Sequence, residues 1–547
     1  MASITVYGGA NEIGGNKILV ESEETRIMLD FGARMGFEST FFSEFVDART
    51  NTSLRDRLII GAMPFIPGIY RSDKIQPLGW ENIPHGGRLL TGDSRLFHLN
   101  SLITYEAYLQ EHKRGYIDAM LLSHAHLDHT GDITYIHPAI PLYCSKVTEI
   151  LVNAIDDVTS FPSLAITMDR PEIEYTKSGM FPNQPKISKK NKSRRDCITM
   201  ANGQEESIGS IRVKAIDIDH SVPGASSFLL KTKSKNILYT GDIRFHGTSP
   251  ISIDDYVAEA GNDIDVLICE GTRIDSESLI TEDMVKQKII DEMKAAKGLV
   301  FVDFSWKDTT RYETIRQASV ECGRIFVINA RLAYLLNIFG QNPDPNQVKV
   351  FLKRKSSALY SPPDYSNSKH EYGLSVDKEN LDSTHYDNGM IALDIIANPG
   401  KYVVMASYYD FNQLFDFAND DGIIPDSRFI KAQCEPFSDD MELDEERMIN
   451  WLEKFGIAFT KGEPDMLPGC TNPECVKIKR MIDRSHVSGH ASRPELKELI
   501  EKLRPKTIIP VHTMNPGEFQ KIAEEIKNET GYHIHVILPE TGTKYEF

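Results

Sequence analysis

Cysteine, tryptophan, positive charge and long apolar runs are all in short supply in this chain. Seven cysteines in 547 residues, an odd number without paired close spacing, argue against a disulfide-stapled secreted domain and for a reducing compartment. Cys470 and Cys475 stand too far apart for a good zinc clip and read as ordinary thiols. No apolar run approaches the roughly 20 residues of a membrane span. Met1-Ala2-Ser3 leads straight into the strand-like Ile4-Thr5-Val6-Tyr7 without a signal peptide, so a cytoplasmic protein is expected. Lys and Arg total 61 against 79 Asp and Glu, a net charge of −18, which repels a polyanion in the mean field. A nucleic-acid function therefore needs local basic patches and bound cations. The densest patch, Lys186, Lys189, Lys190, Lys192, Arg194 and Arg195, reads equally as a phosphate-binding strip for single-stranded RNA and as a solvated loop. Lys353-Arg354-Lys355 and Lys477-Lys479-Arg480 carry the same two readings.

What is present is ordinary in bulk. A hydrophobic fraction of 41% and a charged fraction of 26% are those of a soluble globular protein. The length exceeds one ordinary core and predicts two domains with insertions.

The stretch that organises the rest is Leu121-Leu122-Ser123-His124-Ala125-His126-Leu127-Asp128-His129-Thr130-Gly131-Asp132, directly after a buried-strand pattern. The whole chain has 16 histidines, so chance clustering of three is the weaker explanation. His124 and His126, two apart, point to one side of an extended or tightly turned backbone and can share a cation. Asp128 and His129 lie at the entrance to a helix and can reach a second ion. Imidazole nitrogen mixed with carboxylate oxygen suits zinc, with manganese or iron as substitutes. Further on, three apolar strands each end in a polar residue. They are Ile211 to Ile218 before His220, Asn236 to Tyr239 before Asp242, and Asp265 to Cys269 before Glu270. Thr507 to Val511 before His512 repeats the pattern.

The sequence His124-x-His126-x-Asp128-His129 resembles the signature of the metallo-β-lactamase superfamily. Within it the chain is similar to the β-CASP nucleases, most of all ribonuclease J and its archaeal relatives. The glycine-rich turn Tyr7 to Asn16 is similar to that group's GGxxEIGxN turn, and Ser488-Gly489-His490-Ala491-Ser492 to its motif B. The resemblance implies an α/β fold: an αββα sandwich in residues 1–275 and 485–547, interrupted by a β-CASP α/β domain at 276–484. Residues 36–100 form an elaboration that walls the cleft or makes a subunit contact. A homodimer or higher oligomer is expected. Too little chain follows His512 for the extra C-terminal domain of bacterial ribonuclease J.

The resemblance also implies roles. His124, His126 and His220 would hold one Zn2+, Asp128, His129 and His512 the other, with Asp242 bridging and Mn2+ as a possible substitute. Asp30, at the end of the strand Arg26 to Gly32, would hydrogen-bond a ligating histidine from behind. The two cations would activate a water for in-line attack on phosphorus. Asp128 and Asp242 would serve this catalysis. His490, oriented by Glu270, would give a proton to the leaving 3′ oxygen, leaving 5′-phosphate and 3′-hydroxyl ends. Ser488, Gly489, His490 and Ser492 would contact substrate phosphate. Met405 to Asp410 departs from the group's TGSxGE-like segment, which puts the contacts to the substrate end in question. The expected activity is a 5′-to-3′ exoribonuclease with endonuclease activity as well. The alternatives are a β-CASP DNA repair nuclease, which usually carries valine where His512 stands, a small-molecule ester or thioester metallohydrolase, and an inactive RNA-binding scaffold.

Between 282 and 328 the rhythm changes to helix and strand in alternation. Helices are predicted over Glu282 to Lys297, closed by Gly298, and Thr309 to Cys322, closed by Gly323. Such alternation indicates a parallel α/β unit. Residues 341–390 read as loop-rich and Ser438 to Glu446 as an acidic stretch.

Overall fold

The computed structural model describes residues 1–43, 46–49, 53–78, 99, 102–158, 167–178, 181–248, 251–341, 343–355, 358–360, 389–434, 436, 439–462 and 481–547. Cys470, Cys475 and the Lys477 to Arg480 cluster lie outside these residues, as does most of the loop-rich 341–390 segment.

Two seven-stranded sheets stack face to face. The first is built from Lys544–Glu546, Ala2–Gly8, Lys17–Ser22, Thr25–Leu29, Ala119–Leu121, Leu142–Cys144 and Cys197–Thr199, in that spatial order. The second runs His535–Val536, Thr507–Val511, Val266–Glu270, Asn236–Tyr239, Ser226–Lys231, Ile211–Asp217, Glu205–Ile208. Side chains alternate across each strand. Ile18, Val20, Ile27, Leu29 and Leu121 meet Phe228, Leu230, Tyr239, Ile268 and Val511 between the sheets. Leu19, Met28, Met120 and Leu142 turn outward onto Leu54, Leu58, Leu151 and Val152. On the far side, Leu229, Leu238, Leu267 and Ile508 pack under Leu496, Leu499, Phe519 and Ile522. These are four layers: helices, sheet, sheet, helices.

A third sheet takes all its seven strands, every pair parallel, from Val300 to Phe459. Apolar clusters cover both of its faces, as a parallel sheet requires. Trp306 packs against both this sheet's cluster and the helical face of the first sheet, tying the two bodies together beside the metal loop.

Several expectations need correction. Between the strands read at Ile4 and at Arg26 lies a third, Lys17–Ser22, which Glu23 at φ 54° turns back into Thr25–Leu29. The helix beginning at Glu282 ends at Ala295, with Ala296 already extended. Gly298 does not cap it; a Cβ there would stand 2.5 Å from the Pro425 carbonyl oxygen, so the position is small for reasons of space. The acidic stretch after Ser438 is acidic as read, and it opens a helix, Asp439–Lys454, whose buried Glu445 binds Arg484 and the Ile482 amide. Between 36 and 78, Leu54, Leu58, Met63, Ile66, Ile69 and Tyr70 are core of the first sheet's outer face. The basic stretch lies on the hairpin Thr167–Ser178 and Phe181–Arg194. Its last two members serve the fold: Arg194 binds Asn153 and Asp157, and buried Arg195 donates to the carbonyls of Ile136 and Ile140. No described helix is long and apolar enough to cross a membrane.

Candidate metal centre

The order of the second sheet explains how distant residues converge. Asn236–Tyr239, Val266–Glu270 and Thr507–Val511 are adjacent and parallel, so the residues at their C-terminal ends, Asp242, Glu270 and His512, emerge on one edge. The facing sheet delivers His124 to His129 after Ala119–Leu121, its own parallel neighbour of Thr25–Leu29. Ligands at the carboxyl ends of parallel strands are the general pattern of such sheets.

Two four-membered groups of ligand atoms result, His124 with His126, His220 and Asp242, and Asp128 with His129, Asp242 and His512, each gathered within 4.8 Å, beside a three-membered group of Glu270, His490 and His512. Asp242 belongs to both four-membered groups. Its Oδ2 lies 3.5 Å and 3.8 Å from the Nε2 atoms of His124 and His220, and 3.1 Å and 3.6 Å from those of His129 and His512. His126 Nδ1 is 3.1 Å from both His124 Nε2 and His220 Nε2. Ligands about 2.0–2.1 Å from a tetrahedral zinc ion stand roughly 3.3 Å apart, so the spacing fits the ion.

The hydrogen bonds behind the rings decide which nitrogens face inward. Ser123 Oγ donates to Asp30 Oδ2 at 2.7 Å and so accepts from His124 Nδ1 at 3.0 Å. His220 Nδ1 donates to the Gly489 carbonyl at 2.5 Å, and His129 Nδ1 to Asp30 Oδ2 at 2.7 Å. Thr272 Oγ1 donates to the His512 carbonyl and accepts from its Nδ1 at 2.7 Å. Each of these four rings thus turns its Nε2 into the centre. Imidazole nitrogens crowded at 3.1 Å, around a buried Asp242 whose Oδ1 has no hydrogen-bond partner, are an arrangement that cations satisfy. The residues fit two metal ions.

The electrostatics divide the two groups. Burial pushes His124, His126 and His220 well below the usual imidazole range, keeping them neutral ligands. Burial acts downward on His129 and His512 too, but Asp242 and its neighbours outweigh it: His129 is held well above its ordinary value and His512 is pushed up to about 9. Burial would raise the carboxyls of Asp128 and Asp242, yet His129 leads the groups that hold both well below the carboxylate range. Lys307, on the loop beside Trp306, adds its charge to the cleft; burial lowers its ammonium and Asp128 draws it back up.

Glu270 and His490 lie outside the two four-membered sets and form, with His512, a third and smaller group. Glu270 is fully buried, accepts from the amides of Ile243 and Thr272, and lies 3.2 Å from His490 Nδ1. The His490 ring is 19% exposed, which leaves an open side toward the cleft. Of the expected phosphate contacts, Ser488 spends its Oγ on the His490 amide at 3.1 Å. Ser492 is a correction: it is fully buried, and its amide and Oγ both bind Glu495 as a helix cap. Gly489 is required to be small, since a Cβ would stand 2.8 Å from His220 Cε1.

Sequence reasoning missed Tyr239, whose hydroxyl donates to Asp30 at 2.7 Å, and Thr272. It also missed the buried pair of Lys17 and Asp132, 2.9 Å apart, which braces the metal loop. The available signal was positional: each ligating histidine needs a partner on its second nitrogen, and these polar residues flank the strand ends that carry the ligands.

A beta-lactamase superfamily domain model matches residues 104–300, and a model of the Zn-dependent metallo-hydrolase RNA specificity domain matches 476–539. Ribonuclease J of Pyrococcus abyssi is 21% identical over 98% of this chain and 94% of its own length. Ribonuclease J of Mycoplasma genitalium is 21% identical over 80% of this chain and 64% of its own, and that of Sinorhizobium meliloti 21% over 74% and 59%. The chain therefore spans about three fifths of those two bacterial relatives. A protein of unknown function from Enterococcus faecalis V583, 19% identical, shares the fold with a TM-score of 0.62 over 100% of this chain and 99% of that one. Two domain models on the body that carries the metal centre, and similarity to the Pyrococcus abyssi ribonuclease J along 98% of the chain, make the chain similar to the metallo-β-lactamase superfamily and, within it, to the ribonuclease J-like hydrolases.

Proposed function

We propose that the protein is a two-zinc ribonuclease of the ribonuclease J type, working 5′ to 3′ with endonuclease activity as well. Asp242, shared between two complete ligand sets with a Glu270–His490 pair on the open side, is the observation that carries this reading. When bound, two cations lower the pKa of a water between them and offset charge on the non-bridging phosphate oxygens. The chain supplies the rest. His490, held by Glu270 at 3.2 Å, gives a proton to the leaving 3′ oxygen, a contribution typically of about 10²–10⁴-fold. Asp128 and Asp242 stay ionised as ligands, and Lys307 offers positive charge to a phosphate in a chain whose net charge is −18. RNA over DNA is supported by the RNA specificity model over 476–539 and by His512 standing where the DNA repair nucleases usually carry valine. The division of the chain at about 276 and 484 is supported by the third sheet, whose strands all fall between Val300 and Phe459.

The test is cleavage by protein loaded with zinc or manganese, on RNA and DNA oligonucleotides labelled at the 5′ end and bearing a monophosphate or triphosphate. Mononucleotide release is expected from 5′-monophosphorylated RNA, with some internal fragments. Cleavage of DNA alone moves the protein to the repair nucleases, and full zinc loading with no cleavage of either refutes the proposal.

A further inference from the structure

His246 lies on the irregular segment after Asp242, and nothing above gives it a role. Its Nδ1 stands 2.8 Å and 2.9 Å from the two carboxylate oxygens of Glu495, and its Nε2 stands 3.1 Å from the carbonyl oxygen of Ser488. A carbonyl only accepts. Burial would raise the Glu495 carboxyl, but the His246 hydrogen bond and the Ser492 amide outweigh it and keep the group ionised. Both ring nitrogens therefore face acceptors, and a neutral imidazole has one N–H to give; only the imidazolium fills both. The pair is enclosed, with side chains 8% and 10% exposed, so water does not substitute.

The same carbonyl receives a second cation. Arg244 sends Nη1 toward Ser488 O at 3.4 Å, while Asp219 holds its Nε at 3.0 Å. The next carbonyl, of Gly489, accepts from His220, and the His490 amide donates to Ser488 Oγ. Two successive carbonyls of Ser488-Gly489-His490 are thus held from outside the segment, and the Ser488 hydroxyl closes the turn onto the His490 amide. What it presents to the cleft is the ring of His490 against Glu270.

We infer that His246, as an imidazolium paired with Glu495, is a positioning residue for His490: the pair fixes the place from which His490 protonates the leaving oxygen. The inference rests on the phosphodiesterase reading above and adds to it a residue that acts through another. In the step, the attacking water gives one proton to solvent as its oxygen bonds to phosphorus, the P–O3′ bond breaks with its electron pair going to the 3′ oxygen, and the proton that neutralises that oxygen comes from His490, which regains one from solvent. His246 transfers nothing.

The experiment compares two oligoribonucleotides on the zinc-loaded enzyme and on His246→Gln, Glu495→Gln and the double variant. One has ordinary linkages. The other carries a bridging 3′ sulfur at the linkages the unmodified enzyme cuts, whose thiolate leaves without needing a proton. Gln at 495 still completes the helix cap, so at least one single variant keeps the fold. On ordinary RNA, kcat should fall about tenfold in each single variant and no further in the double, since the two act as one unit. On the sulfur-bridged RNA the loss should stay under about twofold. KM and zinc content should not move. Equal losses on both substrates, or full kcat on ordinary RNA, overturns this inference alone. Absence of cleavage by the unmodified enzyme on both oligonucleotides overturns the phosphodiesterase reading and this inference with it.

Discussion

Asp30 Oδ2 lies 2.7 Å from Nδ1 of His129 although 99 positions separate them. The same fully buried carboxylate accepts from the Ser123 amide, the Ser123 hydroxyl and the Tyr239 hydroxyl, each at 2.7 Å. Four donors compensate a charge taken out of water. Asp30 reaches them from a left-handed backbone, φ 53°, a conformation costing roughly 1–2 kcal/mol for a residue with a Cβ. Asp30→Ala should weaken zinc at the Asp128, His129 and His512 site by about 10–100-fold, the usual effect of removing a partner behind a ligand. It should also cost roughly 1–3 kcal/mol of stability through the donors left unpaired. Chelator-competition titration and thermal melting check both; unchanged affinity would remove the orienting role.

Removing a ligand and removing the proton donor should have separable consequences. Asp242→Ala takes an atom from both ligand sets, so zinc content should fall and turnover should vanish while the fold persists. His126→Ala should do the same through its own site. His490→Ala touches neither four-membered set, so zinc content should hold while kcat falls by about 10²–10⁴-fold. Metal analysis beside single-turnover cleavage reads the difference. Loss of zinc in His490→Ala would place that ring among the ligands.

Much of this site was legible because buried parallel strands write themselves as continuous apolar runs, and a polar residue closing such a run marks the edge where ligands gather. Asp242, Glu270 and His512 were found that way. Their supports were not. Tyr239 hides inside an apolar run as one more large residue, and Thr272 looks like an ordinary loop threonine until His512 is known to need it. The edge strand Lys544–Glu546 is short and polar and gives no alternation to read. Ser492 failed for a different reason. Ser492 and Glu495 form the S-x-x-E pattern of a capping box, so the sequence itself named the competing use of that hydroxyl. Arg194 and Arg195 could not be separated from the neighbouring lysines, because only the fold places Asp157 and two carbonyls beside them.

Gly489→Ala isolates a packing constraint. The added methyl would stand 2.8 Å from His220 Cε1 and 2.9 Å from Ser221 Oγ, so the His220 ring must shift and its bond to the Gly489 carbonyl must break. Zinc at the His124, His126 and His220 site should weaken by about 10-fold or more, and activity should fall with it, while the second site keeps its ion. A zinc titration with two resolved phases checks this, and loss confined to the second phase would contradict it.

Zinc binding to the metal-free protein should release protons from one site and not from the other. His124, His126 and His220 are depressed by burial, so at pH 7 they are already neutral and accept a cation without giving up a proton. His129 and His512 are raised by Asp242 and Asp128 against burial, His512 to about 9. At pH 7 they are protonated, and an ion must displace those protons to bind. The sign for stability follows. In the metal-free protein the raised His512 imidazole contributes stability that is fully present below the unfolded value of about 6.5, and lost as pH rises through its folded value near 9, and His129 is raised in the same direction. Zinc affinity of their site should climb over the same window. Calorimetric titration in two buffers of different ionisation enthalpy, at pH 7 and again above pH 9, reads the proton count in each phase. Equal release in both phases at pH 7 would refute the division of the two sites.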